Sequence, residues 1–252
     1  QHFFYTALLI GKHELYTRIF KAQLMLLFYQ SVHIIGLFKK VVIADEFAIW
    51  ANAGFDNTST LSFIEGWVTS LSYSFQLYYD FSGYSDMAIG LALLFNIRLP
   101  VNFNSPYKAL SIQDFWRRWH ITLSEFLRDY VYIPLGGNKV SEYRVLQNLM
   151  LTFIIGGLWH GASWMFVIWG GLHGSAIVLH RLWQAAGLKM PVLFAWLCTF
   201  MFVNFSWVAF RANSWSDATK VWSSMIDVTG FLGIVRSGNH DLTVLLYQIG
   251  GS

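Results

Sequence analysis

The sequence predicts an all-α, polytopic integral membrane protein, and three observations carry that prediction. Charged residues make up 12% of the 252 residues and hydrophobic residues 55%, whereas about 25% of a soluble domain is charged. Several apolar runs approach the length of about 20 residues at which a helix crosses a bilayer. Twelve Trp and twelve Tyr suit aromatic belts at the two membrane interfaces. The apolar composition makes the lipid bilayer the expected partner, and the net charge of only +3 argues against nucleic acid.

The apolar runs divide the chain into expected spans and polar connections. The runs that we expect to cross the membrane are residues 22–38, 146–159, 162–179 and 192–210. The chain starts at Gln1 without the pattern of a signal peptide. We therefore expect residues 1–252 to form a single, partial transmembrane domain, a piece of a longer protein.

A polar segment, DFSGYSD at residues 80–86, interrupts the apolar stretch from 63 to 95. It places two carboxylates, two serines and a glycine between apolar runs. Broken backbone at membrane depth must be buried in protein or line a cavity. We expect a broken or re-entrant helix here, and a plain loop between two helices is the alternative.

A basic region follows, in which residues 98–145 carry seven Lys and Arg against four Asp and Glu. The positive-inside tendency places this region on the cytoplasmic side. Within it, residues 111–130 are predicted to form one helix, with Ser111 as its N-cap. Its apolar residues recur at 3.6-residue spacing, which is typical of a helix lying in the membrane interface.

Two histidines stand out against these surroundings. His160 lies inside an uncharged apolar run, where an ionisable side chain is costly and therefore a functional candidate. A desolvated imidazole is neutral, which is the form that a general base needs. His120 falls where the apolar and polar faces of the predicted helix meet. The structural alternatives are a hydrogen-bonded packing histidine at 160 and a snorkelling interfacial histidine at 120; we read His173 and His180 as interface residues.

Several other chemistries find no support in the sequence. It contains neither the G-x-S-x-G motif of serine hydrolases nor the G-x-x-x-x-G-K-[ST] phosphate-binding loop. The zinc-binding pattern H-E-x-x-H and the H-x-x-x-D pattern of soluble acyltransferases are also absent from it. The histidines lack a carboxylate or cysteine set with ligand spacing, so we expect no metal. The residues alone leave two possibilities: acid–base chemistry on a group that enters the bilayer, or a proton-coupled transporter.

Several motifs resemble one family, the membrane-bound O-acyltransferases, and within it the branch that acetylates exported bacterial polysaccharides. They are YYDFSGYSDMAIGLALLF (78–95), DFWRRWHITLSEFLRDYVYIPLGGN (114–138) and GGLWHGASWMFVIWGGLHG (156–174). The resemblance covers most of residues 36–218. It implies many helices around a funnel, with interfacial and re-entrant helices and a tunnel through a thin central wall. It also implies a multi-pass protein of the bacterial inner membrane, and that the family's first spans are absent from this chain.

The resemblance also implies an activity and a site. His160 is the histidine of the family's WHG motif and His120 that of its RRWH motif. The acyl donor is expected to be acetyl-CoA from the cytoplasm, with no bound cofactor. The acceptor is an exported polysaccharide such as alginate, reached directly or through periplasmic acetyltransferase partners. Alternatives are D-alanyl transfer to teichoic acid and a histidine-dependent transporter.

The other candidate residues concern substrate binding. Arg117 and Arg118 could attract the donor's phosphates, and ordinary positive-inside anchoring is the alternative. Asp80 and Ser82 would shape the broken segment around the tunnel. The remaining candidate substrate-binding residues are Trp159 and Ser124.

Overall fold

The structure, a computed structural model, describes residues 20, 21, 23–227 and 229. Across these residues the chain is helical and contains no strand beyond an isolated antiparallel bridge between Phe103 and Trp119. The all-α prediction is confirmed. The predicted domain, 1–252, extends beyond the described residues at both ends.

The helices within these ranges follow one another along the chain. They are α1 (Gln23–Asn57), α2 (Phe63–Leu94), α3 (Ile112–Trp116), α4 (Ile121–Leu127), α5 (Glu142–His160), α6 (Trp164–Ala185), α7 (Val192–Arg211) and α8 (Trp215–Met225). The described residues include three π-helical stretches, two within α1 (Lys39–Ala44 and Ala53–Asn57) and one that continues α4 (Arg128–Tyr132). A short 3-10 turn, Pro106–Lys108, precedes α3.

Serine hydroxyls begin several of these helices by accepting a free backbone N–H of the first turn. Ser62 and Glu65 form a reciprocal capping box at the start of α2. The Ser111 hydroxyl accepts the Asp114 N–H at 3.1 Å, as the sequence predicts. Ser214 does the same for the Asp217 N–H at the start of α8.

The DFSGYSD segment is not broken, and the prediction of a re-entrant helix is wrong. Residues 80–86 lie in the middle of α2, which runs without interruption for 32 residues. The Lys39 ammonium of α1 pairs with Asp86 at 2.6 Å, and Lys40 pairs with Asp80. A Cβ at Gly83 would lie 2.6 Å from the carbonyl oxygen of Gly36. The polar residues of the motif therefore serve close packing and ion pairing between α1 and α2.

The single helix predicted over residues 111–130 is also wrong. The structure has two short helices, α3 and α4, with a turn between them at residues 117–120. Most of the apolar stripe is buried in the protein core instead of facing lipid: Ile112, Phe115, Trp116, Trp119, Leu123 and Leu127. Only its far end, Phe126 and Tyr130, is exposed. The interfacial prediction fails because other parts of the chain cover this face.

Two helices of the described chain, α1 and α7, are long and apolar enough to cross a membrane by length and composition. Large apolar side chains also cover much of their outer surfaces, among them Leu27, Phe28 and Ile34 of α1 and Val192 and Leu193 of α7. Apolar patches of this extent mark contact with a membrane or another protein. The expected spans at 146–159 and 162–179 lie in α5 and α6, and their crossing of the membrane stays a prediction.

Helices α5 and α6 form a hairpin in which their backbones come into close contact. A Cβ at Gly170 of α6 would overlap the carbonyl oxygen of Phe153 in α5. A Cβ at Gly157 of α5 would overlap the carbonyl oxygen of Phe166 in α6. Small residues permit this approach between membrane helices. The contact fixes where the end of α5, and therefore His160, lies relative to α6.

The consecutive glycines 170 and 171 give a matched test of this packing. We expect Gly170→Ala to lower the thermal unfolding midpoint of the full-length protein in detergent, because the added methyl meets backbone and overpacking costs about 1–3 kcal/mol. Gly171→Ala adds its methyl to open space and should keep or raise the midpoint, since alanine is the better helix former. Equal midpoints for the two variants would contradict the packing described here.

Candidate active site

His120 lies in a turn that a non-local backbone pairing creates. The Asn104 N–H donates to the Arg118 carbonyl at 2.9 Å, and the Ile121 N–H donates to the Asn102 carbonyl at 3.1 Å. This pairing stops α3 and leaves His120 in the left-handed conformation, with φ 43° and ψ 56°. Such a backbone is unusual for a residue other than glycine. The His120 carbonyl then accepts the Ser124 N–H and begins α4.

His160 is the last residue of α5. Gly161 follows with φ 158°, and a Cβ there would lie 2.8 Å from Cε2 of Phe166. Glycine is therefore needed for the chain to leave the helix at this point. Aromatic rings surround the imidazole, with centroids 4.9 to 6.0 Å away: Trp159, Phe166, Trp169 and Phe210.

The two histidines, 40 residues apart in sequence, line one small internal cavity of about 40 Å³. Its other walls come from α2, the α3–α4 segment, α6 and α7. They are Leu77, Phe81, Trp116, Trp119, Leu123, Trp169, Trp207 and Phe210. The ring of Phe81 meets His120 edge to face, with centroids 4.7 Å apart. The cavity is thus almost entirely aromatic, and the imidazoles are its titratable groups.

Burial lowers the pKa of His120 below its ordinary value, because the charged imidazolium would lose its hydration. His120 is therefore neutral at pH 7. Its Nδ1 atom is buried without a hydrogen-bond partner. A neutral imidazole with an unpaired nitrogen can give or take a proton, or bind a polar group that enters the cavity.

A second cavity, of about 500 Å³, lies next to the first and shares Trp116 as a wall. Arg117 and Ser124, both predicted to bind substrate, line it, together with Arg128 and Asn138. This cavity is large enough for a small organic ligand, since such sites span about 300–1,000 Å³. The larger space is thus lined by charged and polar groups, which include Glu125 as well as the two arginines, and the smaller one by the two imidazoles.

The other predicted residues do not line either cavity. Arg118 pairs with Asp114 at 2.8 Å, and Asp80 pairs with Lys40. Ser82 is buried within α2 and its hydroxyl has no partner. Trp159 is exposed at the end of α5, with its ring against His160 at 5.0 Å between centroids.

His173, predicted to lie at the membrane interface, is instead buried completely in the core. The Trp116 indole N–H donates to His173 Nδ1 at 3.1 Å. The Nε2–H then donates to the Ser206 hydroxyl at 2.8 Å, which itself donates to the Val203 carbonyl. This chain of bonds fixes a neutral imidazole with its proton on Nε2. His173 holds Trp116, the wall between the two cavities.

We expect His173→Leu to lower the unfolding midpoint of the full-length protein markedly. The substitution leaves the Trp116 N–H and the Ser206 hydroxyl without His173, and an unpaired buried polar group costs about 1–3 kcal/mol. His180→Leu, at a half-buried position on the same helix, is the comparison and should change the midpoint little. A midpoint for His173→Leu equal to that of His180→Leu would refute the structural role.

Among the described residues, no three His, Cys, Asp or Glu side chains come together in a group that could hold a metal ion. The candidate site therefore consists of two histidines on a small aromatic cavity, beside a larger cavity that carries Arg117.

Comparison with known proteins gives the chain its relatives. It is 62% identical over 200 residues to the peptidoglycan O-acetyltransferase of Helicobacter pylori, covering 78% of this chain and 38% of that protein. It is 46% identical over 193 residues to a Pseudomonas aeruginosa protein named probable alginate O-acetylase AlgI, covering 75% of this chain and 36% of that protein. A teichoic acid D-alanyltransferase of Streptococcus thermophilus is 36% identical over 118 residues, covering 44% of this chain and 28% of that protein.

The matched part of the chain thus spans less than two fifths of the two O-acetyl relatives. The family model for the membrane-bound O-acyltransferase family matches residues 11–216, which include both cavity histidines. The chain belongs to the membrane-bound O-acyltransferase family.

Proposed function

We propose that the full-length protein is an O-acetyltransferase that transfers an acetyl group from acetyl-CoA to hydroxyl groups of a cell-envelope polysaccharide. The observation that carries this proposal is the shared cavity: residues 120 and 160, distant in sequence, face the same 40 Å³ space. Histidines with purely structural roles would have no reason to line the same cavity. The family match and the names of the relatives support acyl transfer as the reaction class.

In this proposal His160 is the general base. Its desolvated imidazole takes the proton of the acceptor hydroxyl while the hydroxyl oxygen attacks the thioester carbonyl carbon. The carbon–sulfur bond then breaks, and the thiolate of coenzyme A takes the proton back from His160. His120, neutral and unpaired at Nδ1, orients the thioester or shares the proton transfer from the other side of the cavity.

The donor would enter through the 500 Å³ cavity, on the side that the basic region 98–145 assigns to the cytoplasm. Arg117 lines this cavity, whereas the Arg118 guanidinium is held by Asp114. We therefore assign the phosphate contact to Arg117. Ser124, on the same wall, offers a hydroxyl to the pantetheine arm or the thioester.

For the acceptor, the relatives favour peptidoglycan over alginate. Identity to the peptidoglycan O-acetyltransferase is 62%, against 46% for the alginate relatives, over a similar share of this chain. Both acceptors are polysaccharides that lie outside the cytoplasm. The proposal accordingly places the full-length protein in the bacterial inner membrane as a multi-pass enzyme, with periplasmic acetyltransferase partners that carry the group onward.

The proposal is tested by acetyl transfer from labelled acetyl-CoA in membranes that contain the full-length protein and its native partners. We expect His160→Ala to lower the rate by about 10²–10⁴-fold, the usual contribution of general acid–base catalysis. His180→Ala is the matched control on the neighbouring helix and should keep the wild-type rate. Peptidoglycan and alginate are then assayed for O-acetyl groups. Full transfer by His160→Ala, at equal protein level, would remove His160 from the chemistry.

Substituting the two adjacent arginines one at a time distinguishes a direct phosphate contact from a general effect of positive charge. We expect Arg117→Gln to raise the apparent KM for acetyl-CoA by about tenfold, since a charge-assisted hydrogen bond contributes about 1.5–3 kcal/mol. Arg118→Gln removes the same charge from a side chain that Asp114 already pairs, and should leave KM near the wild-type value. Equal KM changes in both variants would mean that the charges act only through the membrane surface.

A further inference from the structure

Buried polar atoms without a partner are concentrated around the histidine cavity. Among the described residues, the buried side-chain atoms without a hydrogen bond are Gln76 Oε1, Ser82 Oγ, His120 Nδ1, Trp169 Nε1 and Trp207 Nε1. Three of them, those of His120, Trp169 and Trp207, belong to residues that line this one cavity. Since buried polar groups are almost always hydrogen-bonded, this concentration indicates a polar guest that enters the cavity.

The size of the cavity limits what that guest is. A volume of about 40 Å³ exceeds the roughly 10–15 Å³ that a water needs. It accommodates a carbonyl group or another small fragment, but not a sugar ring or a nucleotide. The part of a substrate that reaches this space is therefore its reacting end.

Both indole N–H groups lack a partner, and Trp169 is the one whose ring contacts His160. Trp169 is 2% exposed and meets His160 at 89°, with ring centroids 5.3 Å apart. Its ring is held by stacking on Trp207 and by an edge contact with Trp116. The donor is therefore rigid and next to the proposed base.

We propose that Trp169 donates its indole N–H to the acyl carbonyl oxygen and stabilises the oxyanion that forms during transfer. This inference rests on the proposed acetyl transfer. When the acceptor oxygen bonds to the carbonyl carbon and its proton passes to His160, the C=O electron pair moves onto oxygen. The Trp169 N–H hydrogen-bonds that negative oxygen and transfers no proton. The electron pair then re-forms the carbonyl, the C–S bond breaks, and the leaving thiolate takes the proton from His160.

A rigid donor fits this role better than a mobile one. Stabilisation of a transient oxyanion depends on donors that are already in place and need no reorganisation. An indole N–H without a partner in the resting protein has no bond to lose when the oxyanion forms. Its hydrogen bond to the negatively charged oxyanion is stronger than its bond to the neutral carbonyl of the bound substrate, which is the condition for raising kcat.

The test is Trp169→Phe in the full-length protein, assayed for acetyl transfer in membranes beside wild type and His160→Ala. Removing an oxyanion donor lowers kcat by about 10²–10³-fold, and we expect this with an unchanged KM for acetyl-CoA. Trp222→Phe is the matched control, because it removes an indole N–H that donates to the Phe205 carbonyl away from the cavity. It should keep the wild-type kcat.

A shape-preserving replacement covers the case in which Trp169→Phe does not fold. Site-specific incorporation of 3-benzothienylalanine at position 169 puts sulfur in place of the N–H and retains the bicyclic ring. The same fall in kcat, with a wild-type unfolding midpoint, supports the proposal. A wild-type kcat in this variant, while His160→Ala is inactive, overturns the role of Trp169 and leaves acetyl transfer intact. No transfer in the wild type itself overturns the proposed function and this inference with it.

Discussion

The site depends on a short antiparallel pairing between residues 102–104 and 118–121. Its two backbone hydrogen bonds, with the bridge between Phe103 and Trp119, stop a helix whose apolar periodicity would otherwise continue. The pairing also holds His120 in a left-handed backbone conformation that costs about 1–2 kcal/mol. Asn102 reinforces it by accepting hydrogen bonds from the Thr122 amide and hydroxyl. Without this turn, His120 would not face the end of α5.

Three histidines in and around the core differ in burial and in pairing, since His173 is fully buried and His120 and His160 are partly buried. His173 uses both ring nitrogens in bonds to Trp116 and Ser206, which fixes its tautomer and leaves it nothing to offer a ligand. His120 has a buried nitrogen without a partner, and His160 is surrounded by aromatic rings. A fully paired histidine stabilises a fold, whereas an unpaired one beside a cavity is available for chemistry. His173 thus supports the site, whereas His120 and His160 are its candidate reactive groups.

The features that depend on residues close together in the sequence could be predicted from it. The cap at Ser111, the helix at 192–210 and the all-α class follow from residue type and periodicity, and the structure has them. The errors come from non-local contacts. Asp80 and Asp86 lie in an unbroken helix because Lys40 and Lys39 of another helix pair with them. The break at His120 comes from residues 102–104, and no periodicity within 111–130 reveals it. The cost of burying His173 is offset by Trp116 and Ser206, which lie far away in sequence.

In the proposed mechanism, His120 and His160 act on one acyl group in one cavity. The most direct measurement is a structure of the full-length protein with a non-hydrolysable thioether analogue of acetyl-CoA. We expect the acyl end of the analogue in the cavity between His120 and His160, and its phosphates near Arg117 in the adjoining cavity. An analogue bound with its acyl end elsewhere, for instance in the groove between α6 and α7 that Thr199 and Phe202 line, would contradict it.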